Sequence, residues 1–149
     1  MKKIILVLWL ACCLTVFGQN QQPTTVALKV NPNKLRVEDY KLNSKLLARE
    51  IPYRMIFPPK YKPKDSKKYS VIYLLHGLDG HYDNWSNKTK LAEYASKYNY
   101  IIVMAEGNNG WYSDSISIPN DKYESYIIQE LIPEIDKNFP TLSDREHRV

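Results

Sequence analysis

The sequence predicts an α/β fold in which an antiparallel hairpin leads into a parallel sheet with helices on both faces. Three observations predict it. The runs Tyr69–Leu75 and Tyr100–Ala105 are almost wholly apolar, as strands buried on both sides of a parallel sheet must be. A helical pattern follows each run, giving the strand–helix–strand–helix order whose crossovers build such sheets. Ahead of them, residues 46–57 alternate with a period of two, the mark of a strand with one buried face.

Strand character begins at Leu35–Leu42 and resumes at Leu46–Phe57. In the second stretch Ile51, Tyr53, Met55 and Phe57 share a face, with Pro52, Arg54 and Ile56 on the other. Asn43-Ser-Lys45 between them reads as a hairpin turn, and Pro58-Pro59 ends the second strand because proline cannot donate to a ladder. The lysines from Lys60 to Lys68, interleaved with Pro63 and Asp65, form a solvated loop. A helix is expected over Lys88–Tyr98, with Leu91, Ala92 and Ala95 on one side. Glu106-Gly-Asn-Asn-Gly110 ends the strand Tyr100–Ala105 sharply.

The longest helix should start at Asp121, where Asp121 and Glu124 form a capping box. Tyr123, Ile127, Ile128, Leu131, Ile132 and Ile135 then fall on one face. Pro133 should kink it, Pro140 marks its end, and His147-Arg-Val149 opens a further strand. The last helix has no following strand to pack beside. Residues 35–149 are therefore expected to be the N-terminal half of a larger domain, incomplete as a sheet.

Residues 1–18 resemble a signal peptide, with Lys2 and Lys3 ahead of the apolar run Ile4–Phe17 and a cut near Gly18. That run is short for a membrane span, which needs about 20 residues. Export to the periplasm or the exterior is the expectation, with residues 19–34 a flexible mature N-terminus. Both cysteines, Cys12 and Cys13, lie in this segment. The alternative is a lipoprotein with its lipid on Cys12, so membrane contact is expected only through the signal peptide or that lipid. The net charge is +5, and removing Lys2 and Lys3 leaves +3. Those charges are dispersed, which argues against a nucleic-acid partner.

The chemistry concentrates in Val71-Ile-Tyr-Leu-Leu-His-Gly-Leu-Asp-Gly80. An apolar strand breaks there into a loop starting at His76-Gly77. Acyl transfer needs backbone N–H groups aimed at a developing oxyanion, and Leu78 N–H is the candidate donor, with Gly77 shaping the loop through a positive φ. No Gly-x-Ser-x-Gly occurs in the sequence. His76 as a general base, or His76 and His81 with Asp79 or Asp83 as metal ligands, are weaker readings of the same loop. Ser113 and Ser115 read as turn hydroxyls. Trp85, Trp111 and Tyr112 could wall a substrate cleft or simply pack loops onto the core. Glu106 and Asp114 could line that cleft.

The stretch Tyr73-Leu-Leu-His-Gly-Leu-Asp-Gly80 with Asn84-Trp85 resembles an esterase family of the α/β-hydrolase superfamily. Further matches are Ile51-Pro-Tyr-Arg54, Pro58-Pro-Lys-Tyr61, Glu106-Gly-Asn-Asn-Gly-Trp-Tyr112, Tyr126-Ile-Ile-Gln-Glu-Leu-Ile-Pro133 and Arg145-Glu-His-Arg-Val149. That family includes S-formylglutathione hydrolase, feruloyl and acetyl-xylan esterases, tributyrin esterase and the antigen 85 acyltransferases. The resemblance implies an exported serine carboxylic-ester hydrolase acting on a small-molecule or carbohydrate-linked ester, with no cofactor and no metal. It gives Leu78 and Gly77 an oxyanion-hole role and places the serine, acid and histidine of the triad beyond Val149. The 149 residues alone are thus expected to be inactive. Acyl transfer to a sugar, or a non-catalytic binding domain, are the alternatives.

Overall fold

The computed structural model describes residues 35–64 and 66–149. The expected signal segment, both cysteines, the 19–34 stretch and Asp65 lie outside the described residues. Four strands form one sheet: β1 (Val37–Ser44), β2 (Arg49–Ile56), β3 (Ser70–Leu74) and β4 (Tyr100–Ala105). Their spatial order is β1-β2-β4-β3. β1 pairs antiparallel with β2, and β2 antiparallel with β4, whereas β3 and β4 run parallel. The expected α/β arrangement is present: a hairpin leading into a parallel pair.

Alternation along the strands sorts the core into two faces. Tyr53, Met55, Val71, Ile101 and Val103 pack under Tyr123, Tyr126, Leu131 and Ile135. The opposite face carries Ile56, Ile102 and Met104, with Ile72, Leu74, Leu91 and Ala95 against them. Each large apolar side chain withdrawn from water contributes on the order of 1.5–3 kcal/mol. The helix Leu91–Ala95 (α2) packs on the second face, preceded by the short, unburied helix Asn84–Lys88 (α1); Tyr123–Tyr126 (α3) and Ile132–Asn138 (α4) belong to the first. None of the described helices is long and apolar enough to cross a membrane.

Several expected boundaries move, each for a local reason. The hairpin turn is Lys45–Ala48 rather than Asn43–Lys45, with Ser44 still paired to Arg49. Glu130 holds it there, accepting from Ser44 Oγ at 2.5 Å and from the N–H groups of Lys45 at 2.9 Å and Leu46 at 3.3 Å. Of the helix expected over 88–98 only Leu91–Ala95 forms; a separate short helix, Asn84–Lys88, lies ahead of it, and the break falls at Thr89, whose backbone is extended. Thr89 Oγ1 takes the Leu91 N–H at 3.1 Å and donates to Trp85 O, so the side chain replaces helical bonds.

The capping box does not form. Lys122 precedes α3, and its own side chain makes no capping bond. Asp114 does that work from a preceding loop, accepting from Ser125 N–H at 3.0 Å and Ser125 Oγ at 2.6 Å. A π-helical turn, Ile127–Leu131, joins α3 to α4. It shifts the helix face, so Tyr126 is buried and Ile128 is 57% exposed. It also leaves Pro133 in the first turn of α4, where a missing N–H costs least. At the outer edge of β3, Val149 N–H donates to Val71 O at 3.0 Å and Tyr73 N–H to Val149 O at 2.7 Å. The strand expected at 147–149 thus opens as a parallel pairing beside β3.

Candidate active site

The loops leaving the C-terminal ends of β3 and β4 lie side by side, the edge where open α/β sheets bind ligands. His76 is the hinge between them. It is 7% exposed. Its Nδ1 faces Gly77 O at 2.8 Å, and Gly107 N–H points at its Nε2 from 3.0 Å. A carbonyl only accepts, so Nδ1 carries a proton toward Gly77 O. Nε2 faces both the Gly107 N–H and a carboxylate oxygen of Glu106 at 3.2 Å, and both ring nitrogens are occupied. His76 is therefore a loop fastener and not a free base. Its backbone N–H donates to Tyr112 Oη at 2.9 Å, and burial pushes the Tyr112 hydroxyl up to about 12, keeping it protonated.

Glu106, at the end of β4, lies beneath the cleft rather than in its wall. Its carboxylate accepts from Asn108 N–H at 2.7 Å and Tyr82 N–H at 3.2 Å, and lies 3.2 Å from His76 Nε2 and 3.4 Å from His81 Nδ1. Burial raises its pKa, but the two N–H donors and the neighbouring imidazoles outweigh that and hold it below the ordinary 4.5. Asp114, the other acid considered for the wall, caps α3 instead.

The orientation of Leu78 follows from peptide geometry. Gly77 O receives both His76 Nδ1–H and Gly80 N–H, the latter at 3.0 Å. None of the described peptide bonds is cis, and in a trans unit the C=O and N–H point in opposite directions. The Leu78 N–H therefore points away from those donors, and it has no acceptor among the described residues. Gly77 does not adopt the positive φ expected of it. The reversal falls at Asp79, with φ 55°. Gly80 is needed for space, since a Cβ there would sit 2.8 Å from Gly77 O.

His76, Gly77, Leu78, Asn108, Asn109, Trp111 and Tyr112 line a cleft of about 260 Å³, counting space open to solvent. Trp111 is its exposed aromatic, 74% accessible. Trp85 is outside this lining, its indole N–H fixed to Leu75 O at 2.8 Å. Ser113 Oγ donates to Gly110 O and Ser115 Oγ accepts from Ile118 N–H, so both serve turns. Asp79 and Asp83 are turned to Asn109 and Asn87, and no group of three metal-ligating side chains gathers among the described residues. Among these residues no serine hydroxyl bonds a histidine.

Two relations escaped the sequence. Glu106 as the anchor of two loops was signalled only by a carboxylate directly after a fully buried strand. The Asp79–Asn109 pair had no signal, because its partners are 30 residues apart.

Residues 44–149 match the family described as Putative esterase. An acetyl esterase of Caldicellulosiruptor saccharolyticus is 28% identical over 85 residues, covering 57% of this chain and 32% of that protein. An endo-1,4-beta-xylanase/feruloyl esterase of Xylanibacter ruminicola is 35% identical over 93 residues, 56% of this chain and 13% of that protein. Among solved structures, a ferulic acid esterase superimposes with a TM-score of 0.70 at 28% identity, covering 78% of this chain and 48% of that one. An S-formylglutathione hydrolase from Agrobacterium tumefaciens, 19% identical, shares the fold with a TM-score of 0.67 over 83% of this chain and 50% of its own. The chain spans about half of those structures and about a third or less of those curated relatives. With the match running from the hairpin turn through both site loops, the chain belongs to this esterase family and carries an α/β-hydrolase fold.

Proposed function

We propose that the whole protein is an exported serine carboxylic-ester hydrolase in which this chain supplies one donor of the oxyanion hole, Leu78 N–H. The observation that carries the reading is that Leu78 lines a cleft on the C-terminal edge of the parallel strands and that its N–H has no acceptor among the described residues. An ester carbonyl placed there would gain negative charge as a serine attacks it, and the preset N–H would stabilise that charge without reorganising. The described residues contain no serine–histidine pair, so nucleophile and base come from elsewhere in the whole protein, and the 149 residues alone should give no turnover. Trp111, with Tyr112 behind it, forms the aromatic side of the cleft, suited to a small-molecule or carbohydrate-linked ester.

The test is turnover of an activated short-chain ester by the full-length protein, alongside labelling by a serine-directed fluorophosphonate. Leu78→Pro deletes the N–H and should lower kcat by roughly 100- to 1000-fold. Leu78→Ala keeps the N–H and should retain most activity. A wild-type protein that neither hydrolyses esters nor takes the label would overturn the reading.

A further inference from the structure

We propose that Asn109 is a positioning residue for the oxyanion-hole donor, acting through a reciprocal pair of hydrogen bonds with Asp79. The inference rests on the role proposed above for Leu78 and adds what holds that donor in place. Asp79 N–H donates to Asn109 Oδ1 at 3.0 Å, and Asn109 Nδ2 donates back to Asp79 Oδ1 at 3.0 Å.

Leu78 stands between two peptide units. The unit before it, which carries the Leu78 N–H, is fixed through Gly77 O by His76 and Gly80. The unit after it carries the Asp79 N–H, and Asn109 fixes that one. With both flanking planes held, Leu78 cannot rotate its N–H out of line without breaking a bond on one side.

Backbone conformation agrees with a clamp. Asp79 has φ 55° and Asn108, next to Asn109, has φ 45°. Aspartate and asparagine tolerate this left-handed region better than other non-glycine residues. The loops are thus shaped at the two places where the pair joins them. The clamp is one-sided: Asn109 comes from the loop after β4, while the donor sits on the loop after β3. Asn109 therefore adds, to the His76–Gly107 and His76–Tyr112 contacts that already join the two loops, a hold on the peptide unit after the donor. Its side chain also lines the cleft.

The experiment uses full-length protein and two readouts. Amide hydrogen exchange at Leu78 and Asp79 reads the clamp whether or not the protein is active. Ester kinetics read its consequence. Asn109→Ala should speed Asp79 exchange about tenfold, the loss expected when the neutral hydrogen bond from its N–H to Asn109 Oδ1 is removed. It should also lower kcat about tenfold with KM and Tm little changed. Asp79→Asn keeps the Oδ1 acceptor, the backbone N–H and tolerance of positive φ, so it should preserve both readouts. Unchanged exchange in Asn109→Ala would overturn the clamp. Faster exchange with unchanged kcat in an active enzyme would overturn its positioning role. Faster exchange in a protein that shows no turnover at all supports the clamp and refutes the esterase reading instead.

Discussion

Strand β4 and the loop that leaves it are consecutive in sequence and are held in opposite ways. Ile101 to Ala105 are all buried, alternating between the two faces of the sheet. Any apolar residue of the right volume would satisfy most of what β4 requires. The loop Glu106–Tyr112 has no such uniformity. Asn108, Trp111 and Tyr112 have positive φ, at 45°, 54° and 53°. What holds them is a set of specific atoms in other segments: His76, Tyr82 and Asp79. Burial makes the strand; individual hydrogen bonds and ring contacts make the site.

Substitutions that act on one region alone would sharpen this contrast. Ile101→Ala removes a side chain with no exposure and should cost about 3 kcal/mol of unfolding free energy, the middle of the range for such cavities. The cleft geometry should survive in the fraction that remains folded. Gly107→Ala should show the reverse balance. A Cβ there would lie 2.3 Å from the Tyr112 ring, so the ring must move, taking its hydroxyl away from His76 N–H. The overpacking cost is about 1–3 kcal/mol, yet loop order should suffer more than with Ile101→Ala. Urea unfolding with amide exchange at His76 checks both. Equal loop exchange in the two variants would break the contrast.

A second test separates the regions by pH. Glu106 is held below its ordinary pKa of 4.5 in the folded state. A depressed carboxylate pKa contributes stability that is present above the unfolded value and is lost as pH falls through the folded one. Glu106→Gln abolishes that contribution, and its amide nitrogen cannot accept from the Asn108 or Tyr82 N–H. The variant should therefore be less stable than wild type at neutral pH, with the gap closing well below 4.5. Urea midpoints at the two pH values measure it. A gap independent of pH would mean the carboxylate charge contributes nothing to joining the loops.

The same division explains what could be read from the chain before its structure. The strand Tyr100–Ala105 was legible to the residue, because burial on two faces leaves a continuous apolar run. The hairpin and its buried Ile51, Tyr53, Met55 and Phe57 were legible because a period of two is a local property. The turn between them was misplaced by two residues because Glu130, far along the chain, decides it. At the site, His76-Gly77-Leu78 stood out as a loop after a buried strand. The assignment of positive φ to Gly77 failed because Asp79, tied to Asn109, carries the reversal instead. Glu106 was visible as a residue and not as a partner of His76.

The smallest effect concerns the start of α3, where a local signal and a distant contact compete for the same task. Asp121 and Glu124 have the spacing of a capping box, and sequence alone favours them. In the structure Asp114 reaches across the loop to Ser125, and a bridge between Asp114 and Lys122 pins the intervening residues. The hydrogen bonds from Ser125 lower the Asp114 pKa, so the carboxylate is charged where the first N–H groups of the helix point. A negative charge there is favourable and an accepted N–H bond adds to it. Asp114→Ala should therefore lower Tm measurably, and Asp114→Asn should recover part of the loss by keeping the acceptor without the charge. Asp121→Ala should leave Tm nearly unchanged, because its side chain caps nothing. Thermal unfolding of the three variants decides between the two carboxylates. If Asp121→Ala proved the more damaging, the helix would be started by its own sequence, and the rule that distant atoms shape the loops and turns would fail at that point.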